Sequence, residues 1–126
     1  MIEIEKQETL TSNEIDDFTK SIDFILPKDF IIFYKMSNGG IINSEEKYIN
    51  LWKLTEMKQL NIGYCTDEFF PNFFIFASNG GGTAYFIKKN TSLIYEAEFI
   101  DSVNDLKLIC KTFTEFIEEF PLKPIG

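Results

Sequence analysis

The side chains that most often perform catalysis are absent or isolated in this sequence. It contains no histidine, so the commonest general base and metal ligand is missing. The two cysteines, Cys65 and Cys110, therefore have no imidazole to activate them as nucleophiles, and two isolated thiols do not form a metal site. We predict no catalytic residue, no metal and no cofactor, and we predict that the protein is not an enzyme.

Paired carboxylates are the next candidates for chemistry, because two nearby carboxyl groups can hydrolyse glycosides or bind a hard cation. None of the pairs has the pattern of a calcium loop, and most fall on polar helix faces or in loops. Glu96 and Glu98 differ, because they flank Ala97 on one face of a predicted strand, where they would present an acidic stripe to a protein partner. The pairs are Asp16-Asp17, Glu45-Glu46, Asp67-Glu68, Glu96 with Glu98, and Glu118-Glu119.

Two glycine-rich segments invite a ligand-binding interpretation. The second of them lacks the Gly-Lys-Ser/Thr of a phosphate-binding loop, and a strand follows it where such a loop requires a helix. A helix stop explains the first segment and a hairpin turn explains the second. Because loops often contact partners, both remain candidate partner-binding loops. They are Asn38, Gly39 and Gly40, and Asn79, Gly80, Gly81 and Gly82.

Length and charge indicate one acidic domain. The chain has 126 residues, and we predict a single domain over 1–126 with its core at about 11–120. Its net charge of −8 comes from 20 acidic and 12 basic residues. This charge disfavours nucleic acid and anionic membranes, which bind clusters of Lys and Arg. It suits a basic protein partner, although acidity also keeps a protein in solution.

The predicted compartment is the cytoplasm. Met1–Glu8 is acidic and amphiphilic and does not resemble a secretory leader. No apolar run approaches the roughly 20 residues that span a bilayer. We therefore expect Cys65 and Cys110 to be reduced and buried, with a disulfide between them as the alternative.

Two helices are predicted in the first third of the chain. Thr11 and Glu14 have the spacing of a capping box, and apolar residues at alternating intervals of three and four predict a helix from Ser12 to Phe24. Pro27 suits the first position of a second helix. The glycines of Ser37–Gly40 predict where that second helix ends.

The middle of the chain has the strongest β signals. Tyr48–Leu54 predicts a strand that contains Trp52, either as a core residue or as an interface anchor. Thr55 would then cap a short helix, followed by an irregular segment over Asn61–Asn72.

A hairpin follows this segment. Phe73–Ala77 and Thr83–Ile87 flank the Asn-Gly turn at Asn79–Gly82, and Leu93–Phe99 predicts a third strand. The three strands should form an antiparallel meander.

The C-terminal segment allows two interpretations. One long helical face could include Leu106 and Phe120, but the capping-box spacing of Thr112 and Glu115 favours a shorter helix over Phe113–Phe120. A short extended piece, Leu108–Cys110, would precede it. The order of elements indicates an α+β fold, in which helices pack on one face of an antiparallel sheet.

These motifs resemble those of the SUKH superfamily, whose fungal members are cell-wall glucan synthesis regulators. The likeness extends from about Ile15 to Phe120, and one departure is that Lys88-Lys89 follow the hairpin where the family often has an acidic residue. The matching stretches are Leu26–Phe30, Met36–Gly40, Tyr48–Leu54 with Met57, Phe74–Ser78 with Gly80–Gly82 and Tyr85, and Thr112–Phe116.

The resemblance implies an α+β fold and a function in protein binding. Most bacterial members resemble immunity proteins that neutralise polymorphic toxins, often nucleases, so the expected partner is a cognate toxin domain. The alternative is a regulatory or scaffolding module, as in the fungal members. The candidate contact residues are the acidic pair Glu96 and Glu98, the two glycine loops and Trp52.

Overall fold

The computed structural model describes residues 2–124, in which seven strands form one antiparallel sheet. The strands follow one another across the sheet in chain order. They are β1 (Glu3–Lys6), β2 (Gly40–Asn43), β3 (Tyr48–Leu51), β4 (Phe73–Ser78), β5 (Thr83–Lys88), β6 (Ile94–Glu98) and β7 (Lys107–Cys110). The α-helices are α1 (Ser12–Ser21), α2 (Lys28–Met36), α3 (Leu54–Gly63), α4 (Thr66–Phe69) and α5 (Phe113–Glu118), and Val103–Asp105 and Phe120–Leu122 are 3₁₀ helices. The predicted α+β fold is confirmed.

Helix α1 begins with the predicted capping box. The Thr11 hydroxyl accepts a hydrogen bond from the amide of Glu14 at 3.1 Å, and the Glu14 carboxylate accepts one from the amide of Thr11 at 3.0 Å. The helix ends at Ser21, three residues before the predicted Phe24, which is buried beyond it.

Helix α2 starts one residue later than predicted. Pro27 is the N-cap rather than the first helical residue. Asp29 stabilises two helix starts, because its carboxylate accepts hydrogen bonds from the amide of Phe30 at 2.9 Å and from the amide of Thr114 in α5 at 2.9 Å.

Two strands at one edge of the sheet were not predicted. β1 pairs with β2, and β2 pairs with β3. Gly40 is the first residue of β2, so the segment expected only to stop α2 also opens a strand. β1 lies before the predicted core, and all four of its side chains are exposed.

The region between β3 and β4 is more helical than predicted. β3 ends at Leu51, so Trp52 lies just after the strand and not within it. Helix α3 begins at Leu54 and Thr55 does not cap it. The side-chain oxygen of Asn38 accepts the hydrogen bond of the Leu54 amide at 2.7 Å instead. The segment predicted to be irregular contains the rest of α3 and the whole of α4.

The hairpin and the C-terminal prediction are both confirmed. β4 and β5 pair around the glycine turn, and β6 adds the third antiparallel strand. β7 and α5 match the shorter of the two C-terminal interpretations. The Thr112 hydroxyl caps α5 by accepting a hydrogen bond from the amide of Glu115 at 3.0 Å.

The core lies between the sheet and three helices. On one face, Phe74 contacts Phe18 of α1, and Phe76 contacts Phe30 of α2 and Phe116 of α5, with ring centroids 5.1–6.4 Å apart. These helices pack on one face, as predicted. Every residue of β4 is buried, because the other face is also partly covered. There Phe70, which follows α4, packs on Phe86 of β5 at 4.4 Å.

Both cysteines are free thiols, as predicted, but only Cys110 is buried. Cys65 is exposed between α3 and α4, so the prediction that it is buried was wrong. No helix within residues 2–124 combines the length and the apolar composition that crossing a membrane requires.

Candidate functional site

Three aromatic rings stack together at one end of the sheet. Tyr64 and Phe99 have ring centroids 4.5 Å apart, and each ring is nearly parallel to that of Trp52, at 6.0 and 6.3 Å. Trp52 is 8% exposed, whereas Tyr64 is 47% exposed. The stack therefore has a buried base and an open side that faces solvent.

Each ring is positioned by a backbone hydrogen bond. The amide of Trp52 donates to the carbonyl of Phe76 at 2.9 Å and so extends the β3–β4 pairing by one residue. The amide of Tyr64 donates to Leu60 at the end of α3, and the amide of Phe99 donates to the carbonyl of Gly82, both at 2.9 Å.

A side-chain hydrogen bond also fixes the carbonyl of Trp52. It accepts a hydrogen bond from the buried hydroxyl of Tyr34 in α2 at 2.7 Å. Burial raises the pKa of the Tyr34 hydroxyl well above its usual value, so the hydroxyl stays a donor. The Trp52 backbone is thereby held between the sheet and the helical layer.

Beside the stack lies an open groove of about 670 Å³, which we call the aromatic groove. Ile41, Asn50 and Ser78 are directly opposite one another on three neighbouring strands and line it. The charged side chains that line it are Lys53 and Glu56. The complete lining is Gln7, Gly40, Ile41, Asn50, Leu51, Trp52, Lys53, Glu56, Leu60, Tyr64, Ser78, Gly80, Gly81 and Phe99.

Glycine is required next to this groove because backbones approach closely there. Gly39 has a φ of +82°, and a Cβ at this position would lie 2.5 Å from the carbonyl oxygen of Leu51 and 2.7 Å from that of Trp52. Gly80, with a φ of +79°, lies against the ring of Tyr48. Gly39 is thus required where the chain leads into Trp52, whereas Gly80 packs against the start of β3.

The structure brings four of the ten sequence-predicted contact residues together. Gly40, Trp52, Gly80 and Gly81 line the aromatic groove. The other loop residues do not line the groove and have structural contacts, and Asn79 lines a hollow on the opposite face of the sheet. Asn38 caps α3, Gly39 contacts the Trp52 backbone, Asn79 accepts hydrogen bonds from the amides of Gly81 and Thr83, and Gly82 accepts the hydrogen bond of Phe99.

Glu96 and Glu98 belong to the opposite face of the sheet. Glu96 pairs with Tyr85 across β5 and β6, while the intervening Ala97 shares the face of Ser78 and the groove. The acidic stripe predicted for β6 is therefore separated from the aromatic groove by the thickness of the sheet.

Basic residues surround Glu96 in a second hollow of about 430 Å³. Lys107 is opposite Glu96 on β7, and Lys47 also lines the hollow, with its Nζ 4.5 Å from the ring centre of Phe120. Burial lowers the pKa of Lys47, although Glu96 acts in the other direction. Burial, and secondarily Glu96, raises the pKa of Tyr85 to about 12. Glu96 is thus in mixed-charge surroundings rather than in a purely acidic patch.

A third hollow, of about 410 Å³, lies between the end of α1 and α3–α4. Lys89 lines it and bridges Asp23 and Asp67 at 3.0 and 3.2 Å. Burial alone would lower its pKa, but the hydrogen bonds and charges of the two carboxylates together raise it above the usual value. This bridge connects the β5–β6 turn to the helices. It also gives Asp67, one of the paired acidic residues noted in the sequence, a structural contact.

Sequence reasoning missed Tyr64 and Phe99. Tyr64 falls in the segment predicted to be irregular, and Phe99 was the last residue of a predicted strand. One signal for Phe99 is present in the sequence, because an aromatic residue at a strand end can cover a glycine on the neighbouring strand. The Phe99 amide donates to the carbonyl of Gly82, just before β5, so the two residues are neighbours.

The groove has no grouping of metal ligands. In the part of the chain from residue 2 to 124, no three His, Cys, Asp or Glu side chains come together as a metal site would need. Its aromatic rings, together with the side chains of Asn50 and Ser78, are suited to contact another molecule through apolar and polar surface.

The model of the SMI1/KNR4 family (SUKH-1) matches residues 9–119. The chain belongs to the SMI1/KNR4 (SUKH-1) family. No curated protein matches the chain. In this SUKH-1 domain the stack of Trp52, Tyr64 and Phe99 lies within the matched range, whereas β1 lies before it. The sequence-based family assignment is thus confirmed.

Proposed function

We propose that this SUKH-1 protein is a cytoplasmic immunity protein. It binds a cognate bacterial toxin domain, in a stoichiometric complex, through the aromatic groove. It neutralises the toxin by covering a surface that the toxin needs, and it performs no chemistry of its own.

The observation that supports this proposal most directly is the half-exposed aromatic stack. Trp and Tyr are enriched among the residues that contribute most to protein interfaces, since each buries a large area at little cost in conformational entropy. Here Trp52 is fixed by Tyr34 and Tyr64 is open to solvent. Next to Phe99, Ile100 is 92% exposed, which extends the apolar surface beyond the rings.

The charge of the chain supports a basic partner. A net charge of −8 attracts a basic domain and accelerates its association. Nuclease toxins, which must bind nucleic acid phosphates, are a class with such a surface. The proposed partner is therefore a basic toxin domain.

Co-expression with the toxin domain encoded by the neighbouring gene tests the proposal. We expect rescue of growth, copurification, and a complex of defined stoichiometry by size-exclusion chromatography with light scattering. Trp52 is the single tryptophan, so its fluorescence should change when the partner covers the groove. Failure to rescue growth together with failure to copurify would refute the immunity role. Copurification with host housekeeping proteins would instead support the regulatory module.

A further inference from the structure

We infer that the aromatic groove receives an arginine side chain of its protein partner, stacked on the open side of the Trp52–Tyr64–Phe99 cluster. This inference rests on the proposed function only in taking the groove as the partner-binding surface. It adds the chemical group of the partner that the groove recognises.

The geometry of the rings favours a flat cationic group. The planes of the three rings are within 12–26° of parallel, so a planar group can lie parallel to all three on the side where Tyr64 is exposed. A guanidinium group is planar and stacks on aromatic faces, whereas an ammonium group is a compact point charge. The half-exposed Tyr64 gives access to the cluster without movement of the buried Trp52.

The polar lining of the groove provides hydrogen-bond acceptors. A guanidinium group has five N–H donors and needs acceptors in more than one direction. Asn50 and Ser78 lie side by side on β3 and β4 and line the groove, and each has a side-chain oxygen. Gly80 and Gly81 leave that wall without bulky side chains.

The charges around the groove, rather than those of its lining, favour a cation. Glu56 lines it, and Glu5 lies opposite Ile41 on the same face of the sheet at its outer edge. Lys53 is the opposing positive charge in the lining. Glu56 follows Lys53 by three residues at the start of α3, so the two are near enough for partial compensation. Lys53 and Glu56 balance in the lining, so the excess negative charge comes from Glu5 at the outer edge and from the chain as a whole, whose net charge is −8.

Two peptides that differ only in the guanidinium charge test the inference without a toxin. The probes are the blocked tripeptide acetyl-Gly-Arg-Gly-amide and its counterpart with citrulline, which is neutral and nearly the same shape. Amide and indole shifts of the full chain are followed by NMR as each is added to about 10 mM, a range suited to weak ligands. We expect the arginine peptide to shift the signals of Trp52, Tyr64 and Phe99 and to bind at least about threefold more tightly than the citrulline peptide.

Charge-removing variants sharpen the test. Glu56→Gln should abolish most of the preference for arginine, while Glu118→Gln, an exposed change on α5 at the other face, should leave it intact. Equal shifts from both peptides would show an apolar groove and overturn the inference. The inference would also be overturned if neither peptide shifted the signals of groove residues, or if only residues of other surfaces shifted.

The two proposals can fail separately. If the toxin domain binds and the complex is sensitive to Tyr64→Ala, but the peptides are not distinguished, the arginine inference is wrong and the immunity role stands. If no toxin binds and the groove still prefers the arginine peptide, the immunity role is wrong and the recognition chemistry stands.

Discussion

Asn61 of α3 hydrogen-bonds to both backbone polar groups of Ile75 in β4. Its side-chain nitrogen donates to the Ile75 carbonyl at 2.9 Å, and its side-chain oxygen accepts from the Ile75 amide at 2.8 Å. The pairing of β3 with β4 covers only Asn50–Ser78 and Leu51–Ala77, and the Trp52 amide adds one further bond. The side chain of Asn61 therefore continues the sheet where β3 has ended.

Replacing Asn61 by Ala should destabilise the protein by about 2–4 kcal/mol. The change leaves the amide and carbonyl of the buried Ile75 without partners, and each such group costs about 1–3 kcal/mol. Urea denaturation measures the change. The matched control is Asn13→Ala, an exposed position in α1, where we expect a change within about 0.5 kcal/mol. A loss of stability below about 1 kcal/mol for Asn61→Ala would show that water replaces the Asn61 side chain as the hydrogen-bond partner of the Ile75 backbone.

Two glycine-to-alanine changes should have opposite effects. Gly39→Ala forces a Cβ against the carbonyls of Leu51 and Trp52 at a positive φ and should cost about 2–5 kcal/mol. Gly63→Ala, at the exposed end of α3 where a Cβ would meet no atom within 4 Å, should stabilise by about 0.4–1 kcal/mol. Thermal and urea unfolding of both variants measure the difference. Similar stability for the two would contradict the close approach at Gly39.

The two thiols should differ in reactivity. Cys65 is exposed, whereas Cys110 is buried, and burial raises the pKa of the Cys110 thiol to about 12. With Ellman's reagent at mildly alkaline pH, we expect one fast-reacting thiol in the native protein and a second that reacts at least about 100-fold more slowly. Both should react at once in denaturant, and Cys65→Ala should remove the fast phase. Two fast thiols in the native protein would show that the core around Cys110 opens readily.

Stability should fall as the pH rises from about 10 towards 12, partly because of Tyr85. Burial raises the folded-state pKa of Tyr85 to about 12 from a usual value of 10.0. In this interval the unfolded chain has lost the phenolic proton and the folded chain retains it, so increasing pH favours unfolding. Between pH 10 and 11, Tyr85→Phe should lose about 1 kcal/mol less than the wild type by urea denaturation. Equal losses would mean that Tyr85 ionises freely in the folded protein.

Tyr64→Ala should weaken partner binding at least about tenfold, because it removes an exposed aromatic anchor from the groove. The matched control is Phe69→Ala on α4. Phe69 is 50% exposed, close to the 47% of Tyr64, but it does not line the groove. We expect less than a twofold change for it by calorimetry with the toxin domain. Equal effects of the two changes would place the interface on the α3–α4 surface instead.

The features predicted from sequence are those determined by neighbouring residues. The capping box of Thr11 and Glu14 lies within one helical turn, and the Asn79–Gly82 turn specifies its own hairpin. In both cases the residues that form the structure are adjacent in the chain, so pattern and structure agree.

The features that were missed depend on distant residues. β1 consists of exposed, mostly charged residues and becomes a strand only because β2, more than 30 residues away, offers an edge. The cap of α3 comes from Asn38 rather than from the local Thr55. The aromatic groove combines residues following β3, α3 and β6, and no spacing in the sequence relates Trp52 to Tyr64 or Phe99.

The match between strand order and chain order has a consequence for how the protein folds. Every pairing joins two strands that are consecutive in the chain, so no segment has to pass between two strands already in place. The β4–β5 hairpin and β6 close only short loops and are the natural nucleus. The β1–β2 contact closes a loop that includes α1 and α2, and it should form last. We therefore expect β1 to pair only after β2 has joined the sheet, and pulse-labelled hydrogen exchange would show late protection of the β1 amides.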